Sequence, residues 1–598
     1  MPASNQKFTD PVIVKSVIPK HRQDLLKWNG WGYKDSQFVI RDGVAYFTGQ
    51  RYSIGNLTLP HLAPWVISVL NIDLNKYNVF NDPPKESDYP PPKLTKEIYE
   101  KLEKLNIPHS IKVIDRVVRA HGHTLKDIFI LKYGRFDRVP DLVLWPKGHD
   151  DVVKIVKLAD ENDMVIIPFG GGTAVSGAVE CPTGEDRPII SLDTTQMNRI
   201  LWLDEKNLVA CCESGIIGQD LERELNKLGF TCGHEPDSYE FSSLGGWVAT
   251  RASGMKKNTY GNIEDLLVHV KMVTPKGLLQ KNCQVPRLSC GPDFNHVIMG
   301  SEGSLGVITE VVIKIRPVPK IRRYGSIIFY DFEDGVNCMR EVARQRCQPA
   351  SIRLMDNDQF KFGLIVKPQS TFMESVVDGL KKVYVTKIKK FDPDRMCVMT
   401  LLFEGDENEV KVSEKRIYDI AATFRGVPAG ETNGERGYML TFLIAYIRDL
   451  ALQFNIVAES FETSCPWDRA ITLVKNVKQV IANECRNKGI THFIINSRVT
   501  QTYDAGCVIY FYLGFNYTNL PDPVGLFHHL EDSARDEIIN CGGSISHHHG
   551  VGKLRKRWYK NTVSQVGVDL FLAIKNEVDP KNTFATNNLV SRVTKSKL

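Results

Sequence analysis

Short apolar runs alternate with helical patterns across the middle of the chain. The run Leu142–Trp145 ends at Pro146, which predicts a short strand. After Asp150, apolar residues recur on one helical face and predict a helix, and Val165–Ile167 predicts the next strand. Because this alternation continues to about Pro317, we expect a module in which strands and helices are mixed.

The flanking stretches differ in pattern and divide the chain into four segments. Residues 1–130 are predicted to be a helical region that contains a proline-rich joint at 81–93. The mixed module occupies 131–320, a second long mixed segment occupies 321–555, and a charged segment occupies 556–598. The expected fold class is therefore α+β.

Composition is that of an ordinary globular protein. Of the 598 residues, 42% are hydrophobic and 24% are charged, which excludes a disordered or fibrous chain. Lysine and arginine number 76 against 70 acidic residues, so the net charge of +6 gives no reason to expect a nucleic acid partner. The 13 cysteines contain no C-x-x-C pair, which predicts free thiols in a reducing compartment.

Both ends of the sequence bear on location. The N-terminal residues lack the apolar core of a secretory signal, and no run approaches the ~18 apolar residues of a membrane span. The last three residues, Ser596-Lys597-Leu598, match the peroxisomal address. The sequence therefore predicts a peroxisomal protein that binds the peroxisomal import receptor.

A run of three glycines follows the predicted strand Val165–Ile167. Within Pro168–Gly177 the backbone can approach a ligand closely, and successive N–H groups can form a concavity that binds anions. The run is not a P-loop, because no Gly-Lys-Ser/Thr follows, and it lacks the helix-opening context of the dinucleotide motif. Taken alone, it is equally well explained as a glycine-rich turn.

Three further loops of small and hydroxyl-bearing residues accompany this run. They are Pro236–Gly254, Tyr260–Asp265 and Gly300–Thr309. In this order the four motifs resemble the FAD-binding domain of the vanillyl-alcohol oxidase superfamily. The resemblance implies a two-subdomain FAD-binding domain at 131–320 and, at 321–555, a cap or substrate domain whose antiparallel sheet is covered by helices. It also implies FAD held non-covalently, because no signature of a covalent linkage is evident.

The resemblance assigns the cofactor contacts to residues of these loops. They are Pro168, Phe169, Gly170, Gly171, Gly172, Thr173 and Ala174; Asp237, Ser238, Tyr239, Glu240, Phe241, Ser242 and Ser243; Thr250, Arg251, Ala252 and Ser253; and Glu302, Gly303, Ser304, Leu305, Gly306, Val307 and Ile308. Many relatives carry serine where this chain has Ala174, so one hydroxyl is lost there.

Further motifs narrow the resemblance to one family. They are Trp28–Tyr33, Arg119–His123, Ser351–Asp356, Ser464–Arg469, Cys507–Tyr512 and Ser546–Gly550. Over nearly its whole length the chain is similar to the alkyldihydroxyacetonephosphate synthase family. This implies exchange of the acyl chain of acyl-dihydroxyacetone phosphate for a fatty alcohol, without net redox change, in ether-lipid synthesis. Long-chain substrates imply peripheral contact with the inner face of the peroxisomal membrane, and a homodimer is a further expectation.

The implied reaction needs a group that moves a proton, and Tyr510 is the predicted general acid or base. The segment Val508–Tyr512 predicts a strand, which would place Tyr510 and Tyr512 on one face and Phe511 on the other. A free phenol titrates near ~10, so Tyr510 would need cations or donors nearby to act as a base. On residues alone, a tyrosine packed in the core is the alternative.

Three consecutive histidines, His547, His548 and His549, are expected to assist Tyr510. On an extended chain consecutive residues alternate faces, so the three rings cannot comfortably bind one ion, and no metal is expected. A surface cluster of histidines is the alternative.

Two arginines complete the predicted site. Arg448 lies in a largely apolar helical segment, where a charge needs a partner or an anion. The resemblance makes Arg448 the clamp for the substrate phosphate, and a structural salt bridge is the alternative. Arg353 is expected near the flavin, or in an ion pair with Asp356.

Two other functions stay open. An FAD-dependent D-2-hydroxyacid dehydrogenase would share the loops, and a non-catalytic flavin- or lipid-binding scaffold would not require Tyr510 and Arg448. The apolar segment Leu62–Leu70 is expected either to enter lipid or, more in keeping with its length, to form a buried core helix.

Overall fold

The structure is a computed structural model that describes residues 11–369 and 387–591. The tripeptide Ser596-Lys597-Leu598 lies outside the described residues. Among the described helices, none combines the length and apolar character needed to cross a bilayer.

The strands are numbered in chain order. They are β1 (Phe38–Arg41), β2 (Val44–Phe47), β3 (Thr58–Leu59), β4 (His109–Ser110), β5 (Leu142–Leu144), β6 (Val165–Phe169), β7 (Ile189–Asp193), β8 (Ile200–Asp204), β9 (Val209–Glu213), β10 (Phe230–Thr231), β11 (Leu267–Thr274), β12 (Gly277–Leu279), β13 (Val307–Lys314), β14 (Arg316–Pro317), β15 (Ile321–Phe329), β16 (Ser351–Met355), β17 (Cys397–Gly405), β18 (Val427–Pro428), β19 (Ile456–Pro466), β20 (Phe493–Thr502) and β21 (Gly506–Asn516).

The α-helices are numbered in the same way. They are α1 (Leu62–Leu70), α2 (Lys96–Leu105), α3 (Val113–Val118), α4 (Leu125–Tyr133), α5 (His149–Glu161), α6 (Gly218–Lys227), α7 (Leu244–Thr250), α8 (Lys257–Tyr260), α9 (Ile263–Leu266), α10 (Phe294–Ile298), α11 (Phe332–Arg344), α12 (Asn357–Ile365), α13 (Glu407–Thr423), α14 (Glu431–Gln453), α15 (Ala470–Asn487), α16 (Pro523–Asn540) and α17 (Tyr559–Val578).

Two sheets form the first half of the fold. A four-stranded sheet in the order β4-β5-β7-β6 has two parallel pairings, and the helix α5 packs its apolar face against these strands. A five-stranded antiparallel sheet follows in the order β12-β11-β13-β9-β8. The three-glycine run begins where β6 ends, so the parallel sheet fixes the position of this loop.

The second half is one antiparallel sheet of seven strands in the order β18-β15-β17-β16-β20-β21-β19. One face packs against α11, α13, α15 and α16 and is filled by apolar side chains. The other face meets α14 and the N-terminal elements in a second core. This arrangement, with the mixed first half, confirms the predicted α+β class and the predicted cap sheet covered by helices.

The predicted strands and helices near the glycine run are confirmed, with β5, α5 and β6 at the expected places. The prediction of a helical N-terminal region was wrong for residues 38–59, which form the small sheet β1-β2-β3. Phe38 and Phe47 pack edge to face at 4.8 Å in this sheet. Its strands are too short for the alternation of apolar and polar residues to be recognised in the sequence. The division of the chain into four segments stays a prediction.

Candidate active site

A cavity of about 400 Å³ lies between the glycine-rich loops and the inner face of the seven-stranded sheet. Its polar end is lined by the loops that follow β6 and precede α7, and by residues 301–303. Its apolar walls come from α1, α14 and the strands β19–β21. The cavity thus joins the two halves of the fold.

The three-glycine run packs against residues 236–243 too closely for any side chain. A Cβ added at Gly171 would lie 2.2 Å from the carbonyl oxygen of Phe241, and one at Gly170 would lie 2.2 Å from Ser243 Oγ. Gly172 has φ of 69°, in the region that favours glycine. The run therefore has to be glycine to bring two backbone loops together at the cavity.

Residues near both ends of the described chain hold these loops in place by hydrogen bonds. The guanidinium of Arg22 donates to the carbonyl oxygens of Gly170 and Gly171 at 3.1 and 2.5 Å. From the other end, Asn588 Nδ2 donates to the carbonyl oxygen of Glu302 at 2.8 Å. The Glu302 carboxylate in turn accepts the N–H of Val551 and of Gly552.

Most of the predicted cofactor residues line the cavity. They are Pro168 to Ala174, Asp237, Ser238, Ser242, Ser243, Thr250, Ala252, Glu302, Gly303, Gly306, Val307 and Ile308. Other members of the same loops face away from it. They are Tyr239, Glu240, Phe241, Arg251, Ser253, Ser304 and Leu305, which do not line the cavity. Their contacts explain this: Phe241 packs on Trp31 at 5.2 Å, and Ser253 Oγ donates to Asn262 at 2.5 Å.

Tyr510 lies at the other end of the cavity, on β21, the strand that the sequence predicted. It is opposite Glu462 on β19 and Arg498 on β20, so the three side chains form one row on the inner face. Tyr512 stacks beside Tyr510 at 5.9 Å, while Phe511 is buried on the opposite face. The predicted orientation of this strand is confirmed.

The Tyr510 hydroxyl contacts two of the three histidines. Its oxygen lies 2.6 Å from His548 Nε2 and 3.1 Å from His549 Nε2. His547 lies behind them, with its Nδ1 2.8 Å from His548 Nδ1. Consecutive rings were expected to point to alternate faces, which was wrong here, because residues 547–549 form an irregular loop and not a strand.

Glu462 holds this loop to the sheet. Its carboxylate accepts hydrogen bonds from Ser546 Oγ at 2.6 Å and from the backbone N–H groups of His547, His548 and His549 at 2.6 to 3.3 Å. Burial acts to raise the pKa of Glu462, but the neighbouring His548 and the other two histidines outweigh it and hold the pKa well below its usual range. A buried negative charge therefore lies directly under the imidazoles.

Burial sets the protonation of the groups around Tyr510. It raises the pKa of the Tyr510 phenol well above its usual range, an effect to which Asp237 adds and which Arg498 opposes. It lowers the pKa of His549 well below its usual range, and it lowers that of His547 to about 3, with His548 acting in the same direction. At neutral pH Tyr510 is thus a neutral phenol that forms hydrogen bonds with His548 and His549.

Glu462, His547 and His548 form a group of potential metal ligands, since their ligand atoms lie within 4.8 Å of one another. Both Glu462 oxygens already accept hydrogen bonds from the loop. The two Nδ1 atoms are 2.8 Å apart, whereas two nitrogens on a tetrahedral zinc are separated by about 3.3 Å. The geometry is that of a hydrogen-bonded cluster.

Arg448 on α14 is buried and lines the cavity. Its Nη1 donates to Glu459 at 2.9 Å and to the carbonyl oxygen of His123 at 2.8 Å. Its Nε and Nη2 are buried and have no hydrogen-bond partner among the described residues. The alternative of a structural salt bridge therefore holds for Nη1, which pairs with Glu459. The Nε and Nη2 groups remain able to bind an anion.

Arg353 lies behind the cavity wall and donates to Thr441 Oγ1 at 2.6 Å. The alternative of an ion pair with Asp356 was wrong, because Asp356 accepts from Ser497 and Lys478 and caps α12. Arg498 is closer to the tyrosines, with its guanidinium 5.2 Å from the Tyr510 ring centre and 5.1 Å from that of Tyr512. Arg353 therefore does not line the cavity and supports its wall through the hydrogen bond to Thr441.

The apolar segment Leu62–Leu70 forms α1 and covers part of the cavity. Leu62, Trp65, Val66 and Leu70 line it, and Ile67 on the outer side is 40% exposed. Neither expectation for this segment describes it fully, because the helix has one face on the cavity and one toward solvent.

Sequence reasoning missed several residues of the site. They include Glu462, Glu459, Arg498, Asn496, Thr441 and Arg22. A charged residue within an apolar strand was the available signal for Glu462 and Arg498, because such a residue needs a partner when buried.

The chain was compared with known proteins. Residues 140–281 match the family model described as FAD binding domain, and residues 318–589 match FAD linked oxidases, C-terminal domain. The chain is 50% identical to the alkyldihydroxyacetonephosphate synthase of Caenorhabditis elegans over 97% of each chain. It belongs to the alkyldihydroxyacetonephosphate synthase family. The family's synthase from Dictyostelium discoideum is 31% identical over 97% of this chain and 96% of its own.

Solved structures agree with this assignment. A structure of alkyldihydroxyacetonephosphate synthase matches with a TM-score of 0.82 and 29% identity, covering 95% of this chain and 98% of its own. A p-cresol methylhydroxylase shares the fold, with a TM-score of 0.63 at 14% identity over 84% of this chain and 98% of its own.

The family is FAD-linked, and the polar end of the cavity fits FAD. The hydroxyls of Ser214 and Ser301 line it and are buried, and within the part of the chain that the structure describes they have no hydrogen-bond partner, so they can donate to a ligand. The glycine run and residues 242–246 let the backbone approach a pyrophosphate. The cavity-lining residues of three of the four loops would therefore hold FAD, since no residue of Tyr260–Asp265 lines the cavity.

We expect Gly171→Val to yield protein without bound FAD. The new side chain meets the backbone of Phe241 and Ser242 and forces apart the two loops that form the cofactor site. Flavin absorbance and released flavin per chain measure the effect. Gly184→Val is the matched control, since nothing lies within 4 Å of a Cβ there. A Gly171→Val protein with full flavin content would contradict the loop assignment.

Proposed function

We propose that this chain replaces the acyl chain of acyl-dihydroxyacetone phosphate with a fatty alcohol and so forms alkyl-dihydroxyacetone phosphate and a free fatty acid. The observation that carries the proposal is the convergence of three features on one cavity. These are an arginine with unpaired donors, a phenol hydrogen-bonded to histidines, and a long apolar wall. The reaction class is a transfer without net redox change, in ether-lipid synthesis.

Arg448 binds the substrate phosphate in this proposal. Its Nε and Nη2 are buried donors with no partner in the described residues, and a guanidinium fork matches two phosphate oxygens. Glu459 and the His123 carbonyl hold the remaining nitrogen, so the fork is fixed before the phosphate arrives. The phosphate thereby sets the position of the reacting carbons.

Tyr510 moves the proton that leaves the carbon bearing the acyl oxygen. Because the phenol is neutral, it takes the substrate proton only as it passes its own to His548, 2.6 Å away. The Glu462 carboxylate stabilises the positive charge that forms on the imidazole. FAD, when bound, supplies the ring that activates the substrate ketone, and its non-covalent attachment is part of the proposal.

The apolar wall accepts the two long chains. It is built by α1, α14 and the inner faces of β19 to β21, among them Leu62, Trp65, Phe442, Ile447, Phe454 and Ile494. A D-2-hydroxyacid dehydrogenase would need no such wall. The likeness to such enzymes is also weaker, at 23% identity over 74% of this chain for a yeast D-lactate dehydrogenase and 30% over 46% for that of Anaerostipes hadrus. Intact acid–base groups argue against a non-catalytic scaffold.

Peroxisomal import and contact with the inner face of the membrane belong to the same proposal. The import signal is Ser596-Lys597-Leu598, and the outer side of α1, with Ile67 exposed, is the surface proposed to meet lipid. The homodimer stays a prediction.

Tyr510→Phe is expected to keep FAD and bind substrate, and to lose exchange of the reacting hydrogen with water by roughly 100-fold or more. Only the phenol oxygen is removed, so packing survives. Isotope exchange and ether formation are measured side by side, with Tyr46→Phe as a matched change in a strand outside the cavity. Full exchange and full ether formation in Tyr510→Phe would exclude Tyr510 as the proton carrier.

Arg448→Lys is expected to raise KM for acyl-dihydroxyacetone phosphate by about tenfold or more and to change kcat less, because a point charge replaces a fork. The same variant and the wild type should differ little on acyl-dihydroxyacetone, which lacks the phosphate. Arg344→Lys, an exposed position on α11, is the control. Equal losses on both substrates would show that Arg448 does not bind the phosphate.

Deletion of Ser596-Lys597-Leu598 is expected to leave a fluorescent fusion in the cytosol, because the import receptor reads this tripeptide at the chain end. The fluorescent domain is placed at the N-terminus, and the full-length fusion is the control. Peroxisomal fluorescence after the deletion would show that another signal directs import.

A further inference from the structure

The loop Tyr260–Asp265 lies outside the cavity, yet one of its side chains reaches the histidines through a single tyrosine. Asn262 Nδ2 donates to Tyr503 Oη at 3.0 Å, and Tyr503 Oη is 2.7 Å from His547 Nε2. Asn262 is buried, whereas Tyr503, in the turn that follows β20, is half-buried. The loop that resembles a cofactor motif is therefore connected to the acid–base cluster.

The two amides beside Tyr503 have fixed orientations. Gln501 Nε2 donates to the carbonyl oxygen of Gly254 at 3.2 Å, so its Oε1 is the atom that faces Tyr503 Oη, at 3.4 Å. Asn262 Nδ2 is 3.4 Å from a carboxylate oxygen of Glu264, which only accepts, so the nitrogen of this amide faces Tyr503. Tyr503 therefore lies between one donor and one acceptor that cannot exchange roles.

A single hydroxyl proton decides which donor Gln501 receives. Ser253 Oγ is 2.5 Å from Asn262 Oδ1 and 2.9 Å from Gln501 Oε1. Its one proton belongs to the shorter contact, because two oxygens at that distance repel each other unless a proton lies between them. Tyr503 is the other hydroxyl within reach of Gln501 Oε1 in the described chain, so its proton is directed there. The short contact with His547 is then made by the Nε2–H of His547, which donates to the Tyr503 oxygen.

The direction of this hydrogen bond is transmitted through the histidines to Tyr510. Burial lowers the pKa of His547 to about 3, so the ring is neutral and carries one N–H. With that proton on Nε2, His547 Nδ1 accepts from His548 Nδ1, 2.8 Å away. In the neutral form that the proposed proton transfer needs, His548 then presents an unprotonated Nε2 to the Tyr510 hydroxyl at 2.6 Å. If every bond were reversed, an N–H that cannot accept a proton would face Tyr510.

We propose that Asn262 is a positioning residue, which sets the hydrogen-bond direction that makes His548 Nε2 the acceptor for the proton of Tyr510. This inference rests on the proposed function, because it needs Tyr510 to pass a proton to His548. Asn262 lies outside the cavity and acts through Tyr503. Its contribution is to fix which ring nitrogen of each histidine carries hydrogen.

Asn262→Leu keeps the shape of the side chain and removes both polar atoms. The Ser253 proton then turns to Gln501, and the Tyr503 proton is left to turn to His547, which reverses the row. In full-length holoenzyme we expect exchange of the reacting hydrogen with water to fall by roughly tenfold. Flavin content and KM for acyl-dihydroxyacetone phosphate should stay at the wild-type values, because the change lies outside the cavity.

The matched control is Asn258→Leu, which changes a half-buried asparagine on the neighbouring helix α8. Its amide donates to the carbonyl oxygen of Pro349 and accepts from Thr502 Oγ1. Because these bonds do not involve the Tyr503 hydroxyl, exchange should equal that of wild type.

A second change distinguishes hydrogen-bond direction from structural damage. Ser253→Ala removes the proton that competes for Gln501. In the double variant with Asn262→Leu, the Tyr503 proton should therefore return to Gln501. We expect this double variant to exchange roughly fivefold faster than Asn262→Leu, although it lacks one more hydroxyl. A merely structural role predicts instead that the second loss adds to the first.

The tautomer of His547 can be read from nitrogen NMR spectra of holoenzyme with isotope-labelled histidine, without substrate. Ring nitrogens with and without a proton differ in chemical shift, and the His547 signals are those absent from His547→Gln. Wild type and the double variant should carry the proton on Nε2, and Asn262→Leu should carry it on Nδ1. Gln501→Met, which removes the acceptor, should also place it on Nδ1, and it tests the proposal if Asn262→Leu folds poorly.

A wild-type His547 proton on Nδ1, or the same tautomer in wild type and in the variants Asn262→Leu and Gln501→Met, would overturn the positioning role. A double variant slower than Asn262→Leu would overturn it as well. The expected tautomers in an enzyme that shows neither exchange nor ether formation would overturn the proposed function alone, and would still support the role of Asn262 in setting the direction of the row.

Discussion

The buried carboxylate of Glu462 is the interaction on which the acid–base end of the site depends. It accepts four hydrogen bonds from one loop, three of them from consecutive backbone N–H groups. An ionised group with no exposure is costly unless it is compensated in this way. The compensation fixes the backbone of the three histidines, and the rings of His548 and His549 face Tyr510.

The positions of the groups around Glu462 follow from the alternation of side chains between the two faces of the sheet. Glu462, Tyr510 and Arg498 are paired across β19, β21 and β20, so their side chains share the inner face. Phe461 and Phe511, one residue away, stack at 5.3 Å on the outer face and belong to the helix-covered core. A one-residue slip in register would exchange the two sets, so the core that sets the register also aligns the chemistry.

The features that could be predicted from the sequence are those that depend on residues close together in the chain. The faces of the strand around Tyr510, the helix after Asp150 and the freedom of the backbone at the glycine run each depend on a few neighbouring residues. Glu462 lies 48 positions before Tyr510, and its role depends on which strands pair. Arg22 and Asn588 reach the loops only after the whole chain has folded. The small N-terminal sheet was missed because its strands are too short to show a period.

The support of the glycine loops by Arg22 and Asn588 has a consequence for how the protein matures. These two residues are separated by nearly the full length of the chain, yet both bond to carbonyl oxygens of the cofactor loops. Asn588 is synthesised long after the glycine run, so its hydrogen bond to the Glu302 carbonyl cannot form while the glycine run is leaving the ribosome. The support of the cofactor loops is therefore completed by two distant parts of the chain, and the loops have their full set of contacts only once both are present.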